Sequence, residues 1–251
     1  SLPERKEYAL PETGSQPKRS GGFSGGATAC GIRVSVEKRI FAVRPLTCGA
    51  RRTMKESWKP GTMIYPLPAV LVGCGDAPDN WNLLTVAWTG TVCTAPPMCY
   101  VSVRPERHSH ALIARTGEFT INLTTAAMAR AVDWCGVRSG RDYDKFRETG
   151  LTPLRGAVVA APALEESPVV VECRVRQILP LGSHDMFLAE VVNVLVDDRY
   201  IDSATGRFDL ERAGLVAYSH GEYFRLGELI GHFGWSVRRR KIIVRERKGR
   251  R

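Results

Sequence analysis

From residue 64 onward the sequence consists of short β-type runs separated by turn clusters, and this pattern constrains the fold more than any other feature. The predicted strands are 69–74, 83–88, 98–103, 119–123, 169–178 and 187–196. The predicted helices are 109–116, 125–137 and 143–148, the second with Thr124 or Thr125 as its N-cap. Five or more strands with short connections and few helices are typical of a closed antiparallel barrel, which has no exposed edges. We therefore predict a mainly β fold, an antiparallel barrel with a few helical insertions.

The positive charge of the chain lies at its two ends. The formal charge of +10 comes from 36 Lys and Arg against 26 Asp and Glu. Residues 1–53 contribute ten basic and four acidic side chains, and residues 238–251 contribute nine and one. Residues 54–237 hold 17 basic and 21 acidic side chains, so this segment is net acidic. Because a nucleic-acid-binding domain concentrates Lys and Arg on its own surface, we do not expect specific nucleic-acid binding.

Composition divides the chain into three segments. Residues 1–53 are rich in Pro, Gly, Ser and charge and show no sustained apolar period, so they bury too little to offset their ordering entropy. We predict a disordered leader or non-native extension at 1–53, a working domain at 54–237 that starts near Met54, and a basic tail at 238–251. We expect the tail to be solvated; the alternative is nonspecific contact with nucleic acid or an anionic surface.

The sequence lacks the motifs of several other protein classes. It contains no run of about 18 apolar residues, and we expect no membrane insertion. It has no P-loop, no G-x-S-x-G elbow and no H-E-x-x-H motif. Its seven cysteines include no C-x-x-C pair and no signal-peptide pattern accompanies them, so we predict buried thiols in a cytoplasmic protein. His108 and His110 diverge at a helix start, and no metal site is predicted.

The stretch from residue 82 to residue 123 carries the candidate binding residues. Residues 82–91 form a predicted strand that runs into small hydroxyl-bearing residues, and Gly90 lets a flat ring approach the backbone. The junction between the next strand and a helix carries Arg104, Arg107, His108 and Ser109. Basic and hydroxyl side chains beside the free N–H groups of a helix N-terminus form a natural phosphate site. The alternative is a solvated arginine cluster beside an ordinary strand.

A series of short motifs between residues 58 and 237 resembles one known family. The motifs are Trp58-Lys59-Pro60-Gly61-Thr62, Asn82-x-x-Thr85-x-x-Trp88, Arg107-His108-Ser109, Phe119-x-Ile121-Asn122, Gly140-x-x-x-Asp144-Lys145-Phe146, Glu166-Ser167-Pro168, Gly182-Ser183-His184-Asp185 and Leu226-Gly227-Glu228-x-Ile230-Gly231. Their order and spacing resemble the flavin-reductase-like family, which binds FMN in a split barrel and includes flavoredoxins and ferric reductases. The resemblance implies a split β-barrel and a homodimer with FMN near the subunit interface.

The resemblance also implies roles for individual residues. The residues implied to contact the isoalloxazine ring are Thr85, Val86, Ala87, Trp88, Thr89, Gly90 and Thr91. The residues implied to hold the phosphate are Ser102, Arg107, His108 and Ser109, with Arg104 close by. His184 matches a histidine on the nicotinamide side of the flavin, or it caps a hairpin turn. Asn122 bonds the flavin or braces its strand. No residue is implied as an obligatory catalytic group.

The function implied by the resemblance is electron transfer through FMN. The expected protein is a flavin reductase-like NAD(P)H:acceptor oxidoreductase, with NAD(P)H as co-substrate and free flavin, a ferric chelate or a partner protein as acceptor. The alternatives are a flavoredoxin-type electron carrier without its own nicotinamide-dependent activity, and a non-catalytic flavin-binding protein. The sequence specifies neither the acceptor nor the choice among NADH, NADPH and a protein donor.

Overall fold

The structure is a computed structural model that describes residues 55–237. A compact unit begins at Pro60 and contains every strand and helix given below. The predictions for residues 1–53, for a start at Met54 and for the tail 238–251 lie outside the described residues. Within residues 55–237, no helix combines the length and the apolar character needed to cross a membrane.

The described residues contain far more strand than helix. The strands are β1 Leu67–Pro68, β2 Val70–Cys74, β3 Asn82–Val86, β4 Thr89–Thr94, β5 Pro97–Val103, β6 Glu118–Leu123, β7 Pro153–Arg155, β8 Pro162–Leu164, β9 Val169–Pro180, β10 Asp185–Val196, β11 Val216–Ser219 and β12 Glu222–Arg225. The α-helices are α1 His108–Thr116, α2 Ala129–Val137 and α3 Lys145–Thr149. Short 3-10 turns span Ala126–Met128, Asp198–Tyr200 and Trp235–Val237.

Seven strands form one antiparallel sheet in the order β3-β2-β6-β9-β10-β5-β4. Its outermost strands, β3 and β4, are consecutive in the sequence and are separated only by Ala87 and Trp88. Because two residues span only about 7 Å, the two edges must lie side by side, and the sheet curls into a barrel. The predicted mainly β, antiparallel barrel with few helices is confirmed. Two smaller sheets, β1-β11-β12 and β7-β8, lie outside this order.

The prediction of one continuous strand over residues 82–91 is wrong, because the chain bends at Ala87 and Trp88. The N–H of Thr89 donates to the carbonyl of Ala87 at 3.0 Å, and the Trp88 carbonyl accepts from the N–H of Ser102 at 2.9 Å. Strand β3 pairs with β2, whereas β4 pairs with β5. The chain therefore turns from one edge of the sheet to the other, and residues 85–91 are divided between two strands.

Strand β2 is buried on both faces, which fixes α2 against the barrel. Val70 and Val72 belong to the barrel core, together with Phe119. Leu71, between them, faces the opposite side and packs in a second apolar cluster with Val132 of α2. Alternate residues of a strand point to opposite faces, so one strand serves both clusters. The packing holds α2 beside β3 at the mouth of the barrel.

Helix α2 begins later than predicted, and no threonine side chain caps it. Thr125 precedes a 3-10 turn and makes no side-chain cap hydrogen bond. The hydroxyl of Thr124 donates instead to the carbonyl of Ala69 at 2.5 Å, which ties the connection to the sheet. Helix α3 does have a side-chain cap, since the Asp144 carboxylate accepts from two backbone N–H groups of its first turn. The Thr124 hydroxyl thus forms a tertiary hydrogen bond to the sheet in place of the N-cap hydrogen bond expected at α2.

The cysteines of the described part are free, and all but one are buried. The buried thiols are Cys74, Cys99, Cys135 and Cys173, and Cys93 is half-buried. Burial raises the pKa of Cys74 and of Cys135 to about 11, which keeps both thiols protonated at neutral pH. The prediction of buried thiols is confirmed for these four residues.

Candidate functional site

A cavity of about 340 Å³ lies where β3, β5, α2 and the β11–β12 hairpin meet. Four ring-bearing side chains line it, so we call it the aromatic cavity; they are Trp88, His184, Tyr218 and Tyr223. The remaining wall includes strand residues such as Thr85 and Ser102 and the last turns of α2. This volume suits a flat multi-ring ligand, because small-molecule sites are concave and rest mainly on apolar and aromatic surface.

The strand and helix walls of the aromatic cavity are joined by direct contacts. The Thr85 hydroxyl donates to the carbonyl of Val132, which ties β3 to α2. Gly136 lets the two elements approach, since a Cβ there would stand 3.3 Å from the Cβ of Thr85. A larger residue at this position would require the Thr85 side chain or α2 to shift by a few tenths of an ångström. The spacing of this wall is therefore set by backbone packing.

Two parallel rings stand on the barrel side of the aromatic cavity. The rings of Trp88 and His184 are 6.3 Å apart between centroids, with an angle of 4° between their planes. The Ser183 hydroxyl lies 2.9 Å from Nδ1 of His184 and orients the imidazole. His184 therefore lines the cavity and also belongs to the hairpin turn between β9 and β10. Its place on the nicotinamide side of a flavin stays a prediction.

A tyrosine and a carboxylate face the aromatic cavity from the opposite side. The Tyr223 hydroxyl donates to Oδ1 of Asp133 at 3.3 Å. Burial, and then the charge of Asp133, raises the pKa of Tyr223 to about 12. The phenol therefore stays protonated over the physiological range, and its single proton is donated to Asp133.

A second cavity, of about 560 Å³, adjoins the first, and its walls include Leu84, Arg104 and Arg107, which also line the first. We call it the basic cavity because five cationic side chains line it: Arg104, Arg107, Arg138, Arg141 and Lys145. Two carboxylates, Glu106 and Asp142, are also present. The shared residues make the two cavities neighbouring parts of one site.

The start of α1 forms one wall of the basic cavity. Arg107 is the N-cap residue of α1 and makes no side-chain cap bond; its Nη1 donates to the carbonyl of Gly136 at 3.1 Å. The hydroxyl of Ser109 is buried and accepts from Nδ2 of Asn82 at 2.7 Å. Burial, followed by the charges of Arg141 and Lys145, lowers the pKa of His108. The predicted junction of basic side chains and helix N-terminus is thus present and faces a cavity.

The structure brings most of the predicted binding residues to these two cavities. The aromatic cavity contains Thr85, Val86, Ala87, Trp88, Ser102 and His184. The basic cavity contains His108 and Ser109, and both cavities contain Arg104 and Arg107.

Four predicted residues lie outside both cavities. On β4, the Thr89 hydroxyl donates to the carbonyl of Tyr100 at 2.6 Å, Gly90 packs on the ring of the same tyrosine, and Thr91 is exposed. Asn122 is fully buried and donates to the carbonyl of Leu71 at 3.0 Å. Its Oδ1 accepts from the N–H of Leu164 at 2.9 Å. The bracing alternative accounts for every contact of Asn122.

Several residues that line the site were not predicted from the sequence. The additional lining residues include Asp133, Gly136, Arg138, Arg141, Tyr218 and Tyr223, whereas Lys145 belongs to a motif already singled out in the sequence. Arg138, Arg141 and Lys145 follow one another at intervals of three and four residues, a spacing from which a cationic cluster could have been predicted. His220 packs on the ring of Tyr65, with 4.4 Å between the ring centroids. No cluster of three or more potential metal ligands occurs within residues 55–237.

Comparison with known proteins places this geometry in a family. The family model "Flavin reductase like domain" matches residues 62–227. The structure is similar to a flavoredoxin of Desulfovibrio vulgaris (Miyazaki F), with 32% identity, a TM-score of 0.68 and coverage of 74% of this chain and 100% of that chain. It is also similar to an FMN-binding protein from Thermus thermophilus, with 26% identity, a TM-score of 0.60 and coverage of 73% and 99%.

A curated relative from Rhodococcus opacus is the reductase component of a 4-nitrophenol 4-monooxygenase/4-nitrocatechol 2-monooxygenase. It is 30% identical over 111 residues, which are 43% of this chain and 55% of that protein. The family match covers the barrel, the aromatic cavity and the basic cavity together. The chain therefore belongs to the flavin reductase-like domain family, whose fold is a split β-barrel.

Proposed function

We propose that this protein binds FMN and passes electrons from NAD(P)H through the flavin to free flavin, a ferric chelate or a partner protein. The observation that carries the proposal is the pair of adjoining cavities, one aromatic and one basic, with Arg107 lining both. FMN has the matching composition, a flat ring joined to a phosphate by a short polyol chain. The similar FMN-binding protein and flavoredoxin support the same ligand.

The ring half of the ligand would lie in the aromatic cavity. Thr85, Val86 and Ala87 would offer backbone groups to the ring edge, with Trp88 beside them. Thr89, Gly90 and Thr91, which follow on β4, would support this wall from outside the cavity. The Tyr223 hydroxyl donates its proton to Asp133, so its oxygen would be an acceptor for an N–H group of the ring.

The phosphate half would lie at the start of α1. Arg107 and His108, together with the N–H groups of the first turn, provide positive charge and donors. Ser102 and Ser109 would add hydroxyls, and Arg104 would stand close by. An arginine guanidinium suits a phosphate because its N–H groups can donate in pairs.

Bound FMN would supply the redox chemistry: it would take the two electrons of a hydride from a reduced nicotinamide and pass them on, two to one flavin or one to each of two ferric chelates. The protein binds and orients both reactants, and no side chain is required to move a proton in the hydride transfer. His184, parallel to Trp88 at 6.3 Å, would contact the nicotinamide ring on the open side of the flavin. We further propose that two copies of the chain form a homodimer with FMN near their interface.

The visible spectrum of the purified protein tests flavin binding. We expect a yellow protein, or one that turns yellow when FMN is added. Rapid mixing with NADH or NADPH then tests whether a reduced nicotinamide is the electron donor. We expect the visible absorbance of the bound flavin to decrease after mixing. A colourless protein that does not take up FMN would refute the proposal.

A second candidate function is an electron carrier that receives its electrons from a protein. The 32% identity to a flavoredoxin over the whole of that chain favours it. The same mixing experiment separates the two, because a carrier binds FMN but does not bleach with either reduced nicotinamide. Bleaching by a reduced partner protein alone would establish the carrier.

A further inference from the structure

One ion pair joins helix α1 to the hairpin that carries His184. Nε2 of His110, in the first turn of α1, lies 2.8 Å from Oδ2 of Asp185, the first residue of β10. Because an ionised carboxylate only accepts hydrogen bonds, Nε2 carries a proton and is the donor. Neither residue lines the aromatic or the basic cavity, and the proposed function gives this pair no task.

Both members of the pair are mostly buried, with side-chain exposures of 16% for His110 and 18% for Asp185. In every other ion pair formed within residues 55–237, at least one side chain is half exposed or more. The imidazole also packs edge-on against the core ring of Phe187, with 5.1 Å between centroids. Surface ion pairs contribute little because water screens them and their side chains stay mobile. A buried pair with a second contact fixes the two elements that it joins more firmly.

Asp185 directly follows the histidine whose ring lines the aromatic cavity. Two contacts of His184 lie inside the exposed turn itself: its carbonyl accepts from the N–H of Leu181 at 2.9 Å, and its Nδ1 lies 2.9 Å from the Ser183 hydroxyl. Its ring meets another element at Trp88. The side chain of Asp185 adds a tie from the next residue to α1, so the backbone that carries the His184 ring is attached to a helix.

The other end of the pair belongs to the helix start that would hold the flavin phosphate. His110 follows Ser109 and lies three residues after Arg107. Helix α1 is itself fixed, because its Ile113 is fully buried in the barrel core. The pair therefore connects two parts of the proposed site that have separate tasks, the phosphate wall at α1 and the ring of His184.

We propose that His110 and Asp185 are positioning residues, whose ion pair holds the His184 ring beside Trp88, where it would contact a reduced nicotinamide. The inference rests on the proposed function in one respect, the contact of His184 with the nicotinamide. The pair itself touches no ligand. Its loss should therefore slow the reduction of the flavin, whereas FMN affinity should change little because neither residue lines the two cavities.

The test replaces both members of the pair at once. Removal of one member leaves the other buried without its partner, which costs stability for reasons unrelated to His184. His110→Phe/Asp185→Leu, the double variant, removes the ion pair but keeps a ring against Phe187, and apolar replacement of a buried ion pair is often neutral for stability. Asp185→Ser removes the carboxylate with a smaller change in packing and should give the same result if the double variant does not fold.

Asp185→Asn is the conservative variant. Its side-chain carbonyl still accepts a hydrogen bond from Nε2 of His110, so it should keep most of the positioning. The matched control is Arg176→Gln/Glu190→Gln, which removes an exposed ion pair between the same two strands, β9 and β10. Neither control residue lines a cavity.

Rapid mixing of the FMN-loaded proteins with NADH and with NADPH measures the effect on reduction. The double variant should reduce its flavin about tenfold more slowly, because a small misplacement of a contact group can cost that much. Its FMN affinity, measured by fluorescence quenching, should stay close to that of the unaltered protein. Asp185→Asn and the control should be reduced at nearly the original rate. A double variant that is reduced as fast as the control would overturn the proposal.

His184→Ala shows whether the pair acts through this ring. Substitutions that act through one shared group are not additive. Addition of His184→Ala to the double variant should therefore slow reduction no further than His184→Ala does alone. A merely structural pair would not give this result, since its effect would multiply with that of His184→Ala. Losses that multiply would thus overturn the positioning role.

Hydrogen exchange of the flavin-free protein tests the anchor without any ligand. The N–H of Leu181 donates to the carbonyl of His184, so its exchange reports the opening of the turn. Exchange at Leu181 should be about tenfold faster in the double variant, as expected for the loss of one hydrogen bond to a charged group. It should be unchanged in the control. Equal exchange in both would show that the pair does not hold the turn.

The outcome is separable from that of the proposed function. A protein that binds no flavin, or whose flavin does not bleach with a reduced nicotinamide, refutes the proposed function, and the exchange measurement still decides whether the pair anchors His184. Conversely, bleaching at one rate in all variants keeps the proposed function and removes the positioning role of the pair.

Discussion

The aromatic and basic cavities adjoin each other but are built by different means. The aromatic cavity is enclosed by barrel strands, helix α2 and a hairpin, and its spacing is set by backbone contacts such as that of Gly136 with Thr85. The basic cavity is enclosed largely by the start of α1 and the connection between α2 and α3, and charge dominates its wall. The first kind of wall would select a ligand by shape, and the second kind would select it by charge.

The difference has an energetic consequence. Burial of a ring against fixed walls depends on apolar area and responds little to salt. Attraction between a phosphate and several cations depends on ionic strength, most strongly where the cations are exposed. The contributions of the two cavities to affinity can therefore be distinguished by comparing ligands with and without a phosphate.

The largest effect is expected for Arg107→Gln, because Arg107 lines both cavities. FMN affinity should fall by about 10- to 100-fold, the loss expected for one or more charge-assisted hydrogen bonds. Riboflavin, which lacks the phosphate, should bind as before; flavin fluorescence quenching measures both. Arg115→Gln is the control, since Arg115 ends the same helix and pairs with Asp76 outside both cavities. An equal loss of affinity for riboflavin would show that Arg107 does not act through the phosphate.

A smaller effect is expected for Trp88→Leu, which changes only the aromatic cavity. FMN and riboflavin should each lose about 2- to 12-fold in affinity, since an aromatic contact contributes about 0.5–1.5 kcal/mol beyond its area. Trp88→Phe should recover most of that loss. Parallel titrations of the two flavins check the prediction, and a loss confined to FMN would contradict it.

A salt series should sharpen the comparison without any substitution. Between about 50 mM and about 500 mM NaCl, FMN affinity should weaken severalfold because the shorter Debye length screens the phosphate from the cations. Riboflavin affinity should stay constant. If both ligands respond alike, the basic cavity does not bind the phosphate.

The smallest effect is expected from His108 and concerns pH. Its pKa is lowered in the folded protein by burial and by nearby cations, so the unfolded chain binds more protons just below pH 6.5. The flavin-free protein should therefore lose stability as the pH falls through that range. His108→Gln should show a shallower decline in thermal unfolding temperature between about pH 8 and pH 5.5. An unchanged decline would place the responsible group elsewhere.

The sequence predicted those parts of the fold and site that depend on local pattern. The strands at 98–103 and 119–123 and the helix beginning near residue 109 are visible as alternation, turn residues and a basic helix start. The position of Arg107 at that start followed directly. The bend at Ala87 and Trp88 was not predictable, because apolar and hydroxyl residues continue through it without a turn signal.

The unpredicted part of the site comes from residues distant in sequence. Tyr223 reaches the aromatic cavity because the β11–β12 hairpin pairs with β1, some 150 residues earlier in the chain. Lys145 belongs to a motif visible in the sequence, yet its burial and its hydrogen bond to the Cys135 carbonyl depend on how α3 packs beside α2. Neither property has a local signature.

By itself, the sequence determined that this chain forms an antiparallel barrel with an arginine-bearing helix start, because period-two alternation and helix-start chemistry act over a few residues. The tertiary structure decided that the barrel closes at Ala87 and Trp88, that an aromatic cavity forms there, and that a cation-rich cavity adjoins it. Closure and cavity charge depend on which distant elements meet. Those contacts depend on the order of strands in the sheet and on which residues become buried, and a short stretch of sequence specifies neither.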